Sequence, residues 1–320
     1  MSLSISRTTA LRRLHSRIGS STYRLNTILV GLDQVANGQG DGGAIAVTWK
    51  KPETKQQAKQ VANQARIFAC GNATMAAFAV FDSFLREFSN TQWLQISQST
   101  HAIATRAVTR STSEGSDYSI AERASALSAE FDLDQALQIA AIDLFAKWRN
   151  KVAHRDERST KIVGRDLLLA ASDTLHNDYS HFDIKLALNN FDSNKVPVPK
   201  EATTLIAIVM NFSRKLDKAA ILRVASTEDD ISTVANRLLQ EYFEATPDRF
   251  RNPWSEISEL WQGERDRRNR NLEKILAGLG INRNQNPISA PLPQRFISEI
   301  TDLSREEFAE RYCVKKCSAK

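Results

Sequence analysis

Apolar residues recur at intervals of three and four along most of this chain, the period of an α-helix with one buried face. Leu11, Leu14, Ile18, Ser21, Leu25, Ile28, Leu32 and Val35 trace one such seam, apolar except at Ser21, and predict a long first helix. The glycine-rich run at 38–43 ends it and reads as a flexible connector. It lacks the Lys-Ser/Thr ending of a phosphate-binding loop. Residues 44–49 read as a short extended piece. A second long helix is expected after Pro52, with Phe78, Phe81, Leu85 and Phe88 as its clearest stripe. Residues 90–115, rich in Ser and Thr, read as a loop with a broken helix.

A third helix is expected from about 132 to about 155, where Leu137, Ala141, Leu144, Phe145, Trp148 and Val152 share one face. A turn at 159–164, a helix over 167–176 and a mostly loop-like stretch at 177–199 follow. Pro199 suits the first position of a helix, and Leu205, Ile208, Val209, Phe212, Leu216 and Ala219 supply its apolar face. Ser226-Thr227-Glu228-Asp229-Asp230 reads as a domain boundary. Beyond it, helices are expected over 231–243, after an N-cap at Ser255 (carrying Ile257, Leu260 and Trp261), and over 306–314; residues 282–293 read as loop. With no internal repeat and little β-alternation, the fold class is all-α. A helical bundle with long inserted loops occupies 1–225, and a helical C-terminal region of unassigned role occupies 226–320.

Composition changes this picture little. The chain has 320 residues, 42% hydrophobic and 25% charged, which are ordinary globular values and exclude disorder throughout. A formal net charge of +6 is compatible with a polyanionic partner and equally with a slightly basic surface. Three cysteines, Cys70, Cys313 and Cys317, make a disulfide framework a poor expectation. The first 22 residues lack the apolar core of a secretory signal, and no stretch reads as a membrane span of ~20 apolar residues. The expected setting is the cytoplasm, without a membrane.

The third helix holds the candidate chemistry. At ~100° per residue, Asp143, Lys147, Asn150 and His154 fall opposite the apolar stripe, and Arg149 lies between the two faces. Histidine moves protons near neutral pH, and arginine offers a planar, permanent charge to phosphate oxygens. With a ribose 2′-hydroxyl as nucleophile, these groups suffice for phosphodiester cleavage with no metal or other cofactor. Spacing alone also fits a surface arginine and a histidine favoured by the helix C-terminal dipole.

Arg149-Asn150-Lys151-Val152-Ala153-His154 resembles the Arg-x4-His motif of the HEPN superfamily, in which a polar residue often follows the arginine. The segment at 76–88, containing Asp82, resembles the family's earlier helix with its recurring acidic residue. The resemblance spans roughly 55–225. It implies a four-helix bundle, a homodimer that joins two Arg-His pairs in one cleft, and a metal-independent endoribonuclease. In that scheme His154 is the acid-base group and Arg149 the phosphate clamp. Asn150 orients imidazole or phosphate, and Asp82 positions Arg149. Lys147, Lys151, Arg155 and Arg158 surround the site and are expected to hold RNA. Many relatives are toxins or antiviral-defence effectors, which implies an antitoxin or defence-complex partner; others are non-catalytic RNA-binding or scaffolding modules. Relatives controlled by a nucleotidyltransferase antitoxin often carry tyrosine two places after the histidine, where this chain has Asp156.

Two other groupings read as structural. His176 and His181 flank a polar stretch with no third metal ligand at a fixed spacing. Arg265, Arg267, Arg268 and Arg270, with Trp261 upstream, suit an RNA backbone, but interleaved Glu264, Asp266 and Glu273 suit a solvated, salt-bridged helix better.

Overall fold

The computed structural model describes residues 2–39, 52–105, 118–154, 161–243 and 253–312. Among them, the elements run β1 (Leu3–Ile5), α1 (Thr9–Ala36), α2 (Lys55–Ser89), α3 (Gln98–Thr105), α4 (Ile120–Glu130), α5 (Ala136–Ala153) and α6 (Arg165–Ala170). They continue with α7 (Ser172–Asp178), α8 (Ile184–Asp192), α9 (Pro199–Val224), α10 (Glu228–Phe243), α11 (Pro253–Leu260), α12 (Arg265–Leu279), β2 (Ile281–Arg283), α13 (Gln294–Asp302) and α14 (Arg305–Arg311). The fold class is all-α, with one two-stranded sheet.

The chain forms two compact units, one of residues 12–90 and 97–215, the other of residues 1–11, 91–96 and 216–320. The expected division at 225/226 is therefore displaced into α9. Ser226 and Thr227 lie in a tight bend between α9 and α10 instead, and Asp230, in the first turn of α10, accepts from Thr227 N (3.0 Å) and donates its own N–H to Thr227 Oγ1 (3.2 Å).

In the larger unit α2 is the central helix, packed against α3, α4 and α5. Its start is set by a capping box, in which Thr54 accepts from Gln57 N and Gln57 reaches back to the Thr54 N–H. Phe81, Phe84, Leu85 and Phe88 are buried, and Phe81 meets the edge of Phe212 from α9 at 5.9 Å. By length and composition, α2 contains a stretch apolar enough to cross a membrane, at mean hydropathy 1.4, which corrects the expectation that none exists. In the fold 39% of that stretch is buried, while Ile67 and Phe68 are exposed. The α1 seam behaves similarly: Leu14, Ile18 and Leu25 are buried, while Ile28 is exposed.

The expected third helix begins later than 132. Asp132 takes a left-handed backbone (φ 52°), and Leu133 N closes back onto Ser128 O at 2.9 Å. These bonds end α4, a helix the apolar pattern did not reveal, and α5 starts at Ala136. The stretch at 177–199, expected as loop, contains α8. Asp183 caps it by accepting from Leu186 N (2.9 Å), and Ile184, Ala187, Leu188 and Phe191 are buried at helical spacing. Ser255 is not an N-cap, because α11 already begins at Pro253. Residues 44–49, Cys313 and Cys317 lie outside the described residues.

Gly164, which caps α6, has φ +78°, and a Cβ there would lie 2.7 Å from Ala140 Cβ. Gly164→Ala is expected to destabilise by about 1–2 kcal/mol, from the left-handed backbone and the forced shift of α5. Urea unfolding at constant m-value measures it; a stability equal to wild type would mean that neither constraint operates.

In the smaller unit β1 pairs antiparallel with β2, Leu3 opposite Arg283 and Ile5 opposite Ile281. Ile5 O accepts from Ile288 N and Ser289 N (3.0 Å each), and Leu3 O accepts from Leu292 N (2.7 Å). These bonds assign the chain start to the C-terminal region. Phe308 centres an aromatic cluster with Phe243, Trp261 and Tyr312. Trp261 donates to Leu303 O at 2.9 Å, which fixes its indole in this cluster. Arg265 of that basic run pairs with Asp302 at 2.7 Å.

Candidate functional site

The last two turns of α5 are anchored by Trp148. Its ring is fully buried against the edge of Phe191, and its Nε1 donates to Lys195 O at 2.8 Å. This anchor holds α5 in rotation, and so decides where Arg149 and Asn150 project.

Arg149 Nη1 donates to Asn150 Oδ1 at 2.9 Å, and the guanidinium lies 5.1 Å from the centre of the Phe78 ring of α2. Arg149 thus forms part of the wall of a cavity of about 500 Å³ that also includes Phe78, Asp82, Ser83, Arg86, Glu87 and Asn90. Arg149 Nε is buried without an acceptor among the described residues.

Asp82 lies in the same wall, but it does not hold Arg149. Its two carboxylate oxygens accept from Arg86 and from Arg123 of α4. Asn150 and Phe78 position Arg149 instead. The reason is reach along and between helices. Arg86 follows Asp82 by one turn on α2, and α4 brings in Arg123, which also donates from Nε to Ala104 O at 2.7 Å. Arg123 is almost fully buried, and burial pushes its guanidinium below the ordinary arginine range. A neighbouring pair of cations, Arg13 and Arg17, reaches Glu87 at 3.2 Å each.

His154 is the C-cap of α5. Its backbone N–H donates to Asn150 O at 2.7 Å, and its side chain is exposed. The Asn150 side chain is turned to Arg149, so the expected orienting role toward imidazole is not the arrangement found. Five positions on a helix separate Arg149 and His154 by about 7.5 Å of rise and about 140° of rotation. Within one chain they therefore serve different sides of the helix end.

The lysines expected to hold RNA are engaged by the fold. Lys147 donates to Asp143 at 2.7 Å and to Lys161 O, and Asp143, expected on the solvent face, is buried and also accepts from Val163 N (2.7 Å). These bonds tie residues 161–163 back onto α5. Lys151 Nζ donates to Phe191 O at 2.9 Å and sits 3.8 Å over the Phe191 ring; desolvation lowers its pKa from the ordinary lysine value. Arg155 and Arg158 lie outside the described residues. Val152, expected on the buried stripe, is half-buried and lines a second cavity of about 630 Å³ with Ile67, Phe68, Gly71 and Met75.

Arg86, Arg123 and Phe78 are the members of the site that sequence reasoning missed. The Asp82–Arg86 spacing of four was a legible signal for the first. Nothing local pointed to Arg123, because its role depends on α4 lying beside α2. His176 and His181 share one hydrogen bond between ring nitrogens at 2.9 Å. Among the described residues, no three His, Cys, Asp or Glu side chains are grouped to hold a metal ion. No protein-family model matches the chain, and neither does any curated protein or solved structure with which it was compared.

Proposed function

We propose that this chain is a HEPN-like endoribonuclease whose own residues cleave RNA by 2′-hydroxyl attack, without a metal cofactor. The observation that carries the reading is Arg149, tied to Asn150 and laid over Phe78 in a cavity wall without a carboxylate partner among the described residues, with an exposed His154 ending the same helix. His154 removes the 2′-hydroxyl proton, and the 2′-oxygen forms a bond to phosphorus. The 5′-oxygen leaves and takes up a proton, which gives a 2′,3′-cyclic phosphate and a 5′-hydroxyl end. Arg149 stabilises the charge that builds on the non-bridging oxygens. Because the two residues diverge around α5, the reading uses two copies of the chain, Arg149 of one serving beside His154 of the other. It places the protein in the cytoplasm as a toxin or antiviral-defence effector, restrained by an antitoxin or a defence-complex partner.

One observation favours a second reading, a non-catalytic RNA-binding or scaffolding module of the same fold. Lys147 and Lys151 spend their charge on internal bonds rather than on an open RNA-facing surface.

Incubating purified protein with RNA in EDTA separates the two. Wild type is expected to leave cyclic phosphate ends, and His154→Ala to cleave 10²–10⁴-fold more slowly, on the order of an acid-base contribution, with unchanged melting since the side chain is exposed. Equal cleavage by both proteins would overturn the assignment of His154, and no cleavage by wild type would leave the module reading.

A further inference from the structure

Arg86 and Arg149 line the cavity between α2 and α5 together with two carboxylates, Asp82 and Glu87, and both carboxylates are already paired. Asp82 is shared by Arg86 and Arg123, and Glu87 is shared by Arg13 and Arg17. Four guanidiniums thus stand around these two carboxylates, and Arg149 adds a fifth beside them with no carboxylate partner among the described residues: its contacts there are the Asn150 amide and the Phe78 ring. Arg86 Nε, Arg123 Nη2 and Arg149 Nε are all buried without an acceptor among the described residues. A cationic donor withheld from water and unpaired is costly, and an anion beside it offsets that cost. Two of these donors belong to arginines that share the Asp82 carboxylate, Arg86 and Arg123; the third belongs to Arg149, which has no carboxylate partner among the described residues.

Neutral groups complete the cavity. Ser83 lies in the wall, where it accepts from Arg17 (3.3 Å) and donates to Glu87 (3.2 Å). Asn90 also lines it; its amide oxygen is taken by His101 Nε2 at 2.9 Å, which leaves the amide N–H groups to donate. Arg86, with its side chain 43% exposed, is the cation of the Asp82 pair that solvent reaches; Arg123, at 3%, is not.

We propose that this cavity is a phosphate subsite, with Arg86 as its principal contact and Arg149 as its second. Resting on the ribonuclease reading, the ligand is the phosphodiester next to the scissile one on a single RNA strand. Arg86 then sets where along the strand the reacting phosphate falls. Asp82 keeps Arg123 buried and aims Arg86, rather than touching RNA itself. The cavity volume of about 500 Å³ suits a phosphate with part of its ribose, and Phe78, covered by Arg149, provides the apolar floor.

The test uses the full chain and an oligodeoxynucleotide, which binds through phosphates but has no 2′-hydroxyl and is not cut. Arg86→Gln is expected to weaken binding at least 10-fold, the scale of a lost charge-assisted bond, and to reduce the salt slope by about one phosphate contact. Arg86→Lys is expected to restore the slope but only part of the affinity, since the planar fork is lost. Arg283→Gln, which removes the same charge from an exposed pair with Glu273, is the control. If Arg86→Gln matches Arg283→Gln in affinity and slope, the subsite is overturned. Binding that needs Arg86 while RNA is never cleaved sustains the subsite and sinks the ribonuclease reading; cleavage with Arg86-independent binding does the reverse. Should Arg86→Gln melt below the assay temperature, wild type carries the test with inorganic phosphate. Phosphate is expected to shift the ¹⁵Nε resonances of Arg86 and Arg149, and unshifted resonances overturn the proposal.

Discussion

Asp82→Ala is expected to destabilise the larger unit by about 3 kcal/mol, the low end of the cost of stripping a buried charge of its partner. The charge at stake is Arg123, whose side chain is 3% exposed; its other bond goes to a neutral carbonyl, Ala104 O. With Asp82 gone, the guanidinium keeps its charge, because arginine holds its proton even when burial lowers its affinity for it. It must then stay unpaired or drag α4 toward water. The Asp82 side chain is 20% exposed, so water softens the loss and the low end of the range applies. Asp82→Asn keeps one acceptor and the shape, and is expected to cost about half as much. Urea unfolding reads both values, with a fall in midpoint at constant m. A loss below about 1 kcal/mol for the alanine variant would mean that Arg123 does not depend on Asp82. If instead Asp82 acted through Arg149, the alanine variant would keep its stability and lose only RNA handling.

The smaller unit should become less stable as pH rises from about 4 to about 7, and Asp217 is the cause. Its carboxyl is fully buried, and desolvation pushes its pKa from 3.8 up to about 7. Hydrogen bonds from Thr8 N (3.1 Å) and Thr8 Oγ1, with the charge of Arg7, oppose the rise without cancelling it. The sign follows from proton binding. Below about 4 both folded and unfolded chains hold the proton, and Asp217 costs nothing extra. Between about 4 and about 7 the unfolded chain has released it while the folded chain keeps it, so each unit of pH removes stability. Above about 7 the loss is complete, at most on the order of 4 kcal/mol for a shift of about three units. Thr8 also caps α1 by accepting from Leu11 N at 3.1 Å, so the loosening begins where the chain enters its first helix. Asp217→Asn should flatten the pH dependence and be the more stable protein at pH 8. The measurement is the difference in unfolding free energy between the two proteins across pH 4–8. A constant difference would remove Asp217 from the account.

Helical period was enough to find α1, α2, α5, α9 and α10, and to bury Phe81, Leu85, Leu144, Phe145 and Trp148. It also carried the pattern of α8, with Ile184, Ala187, Leu188 and Phe191 at the right spacing, although the polar residues between them and Pro199 beyond made it read as loop. Three-residue strands were never legible in this way, because β1 and β2 are too short to show alternation and each forms only by pairing with a segment some 280 residues distant. For the same reason, the boundary between the units was misplaced.

What the sequence by itself determined is the local frame: helices by the 3.6-residue period, the burial of Trp148, and the placing of Arg149 and Asn150 beside each other ahead of His154. These follow from spacing along one helix, where geometry is fixed by the backbone. Only the tertiary structure decided which charge meets which. Asp82 faces two candidate arginines from outside its own helix, Arg149 and Arg123, and the packing of α4 on α2 assigns it Arg123. Lys147 and Lys151 stand on the polar side of α5, yet Lys161 O and Phe191 O draw them inward. A long side chain can swing over several ångströms at little cost, so its partner is chosen by whichever helix arrives beside it, and that choice is absent from any one segment of the chain.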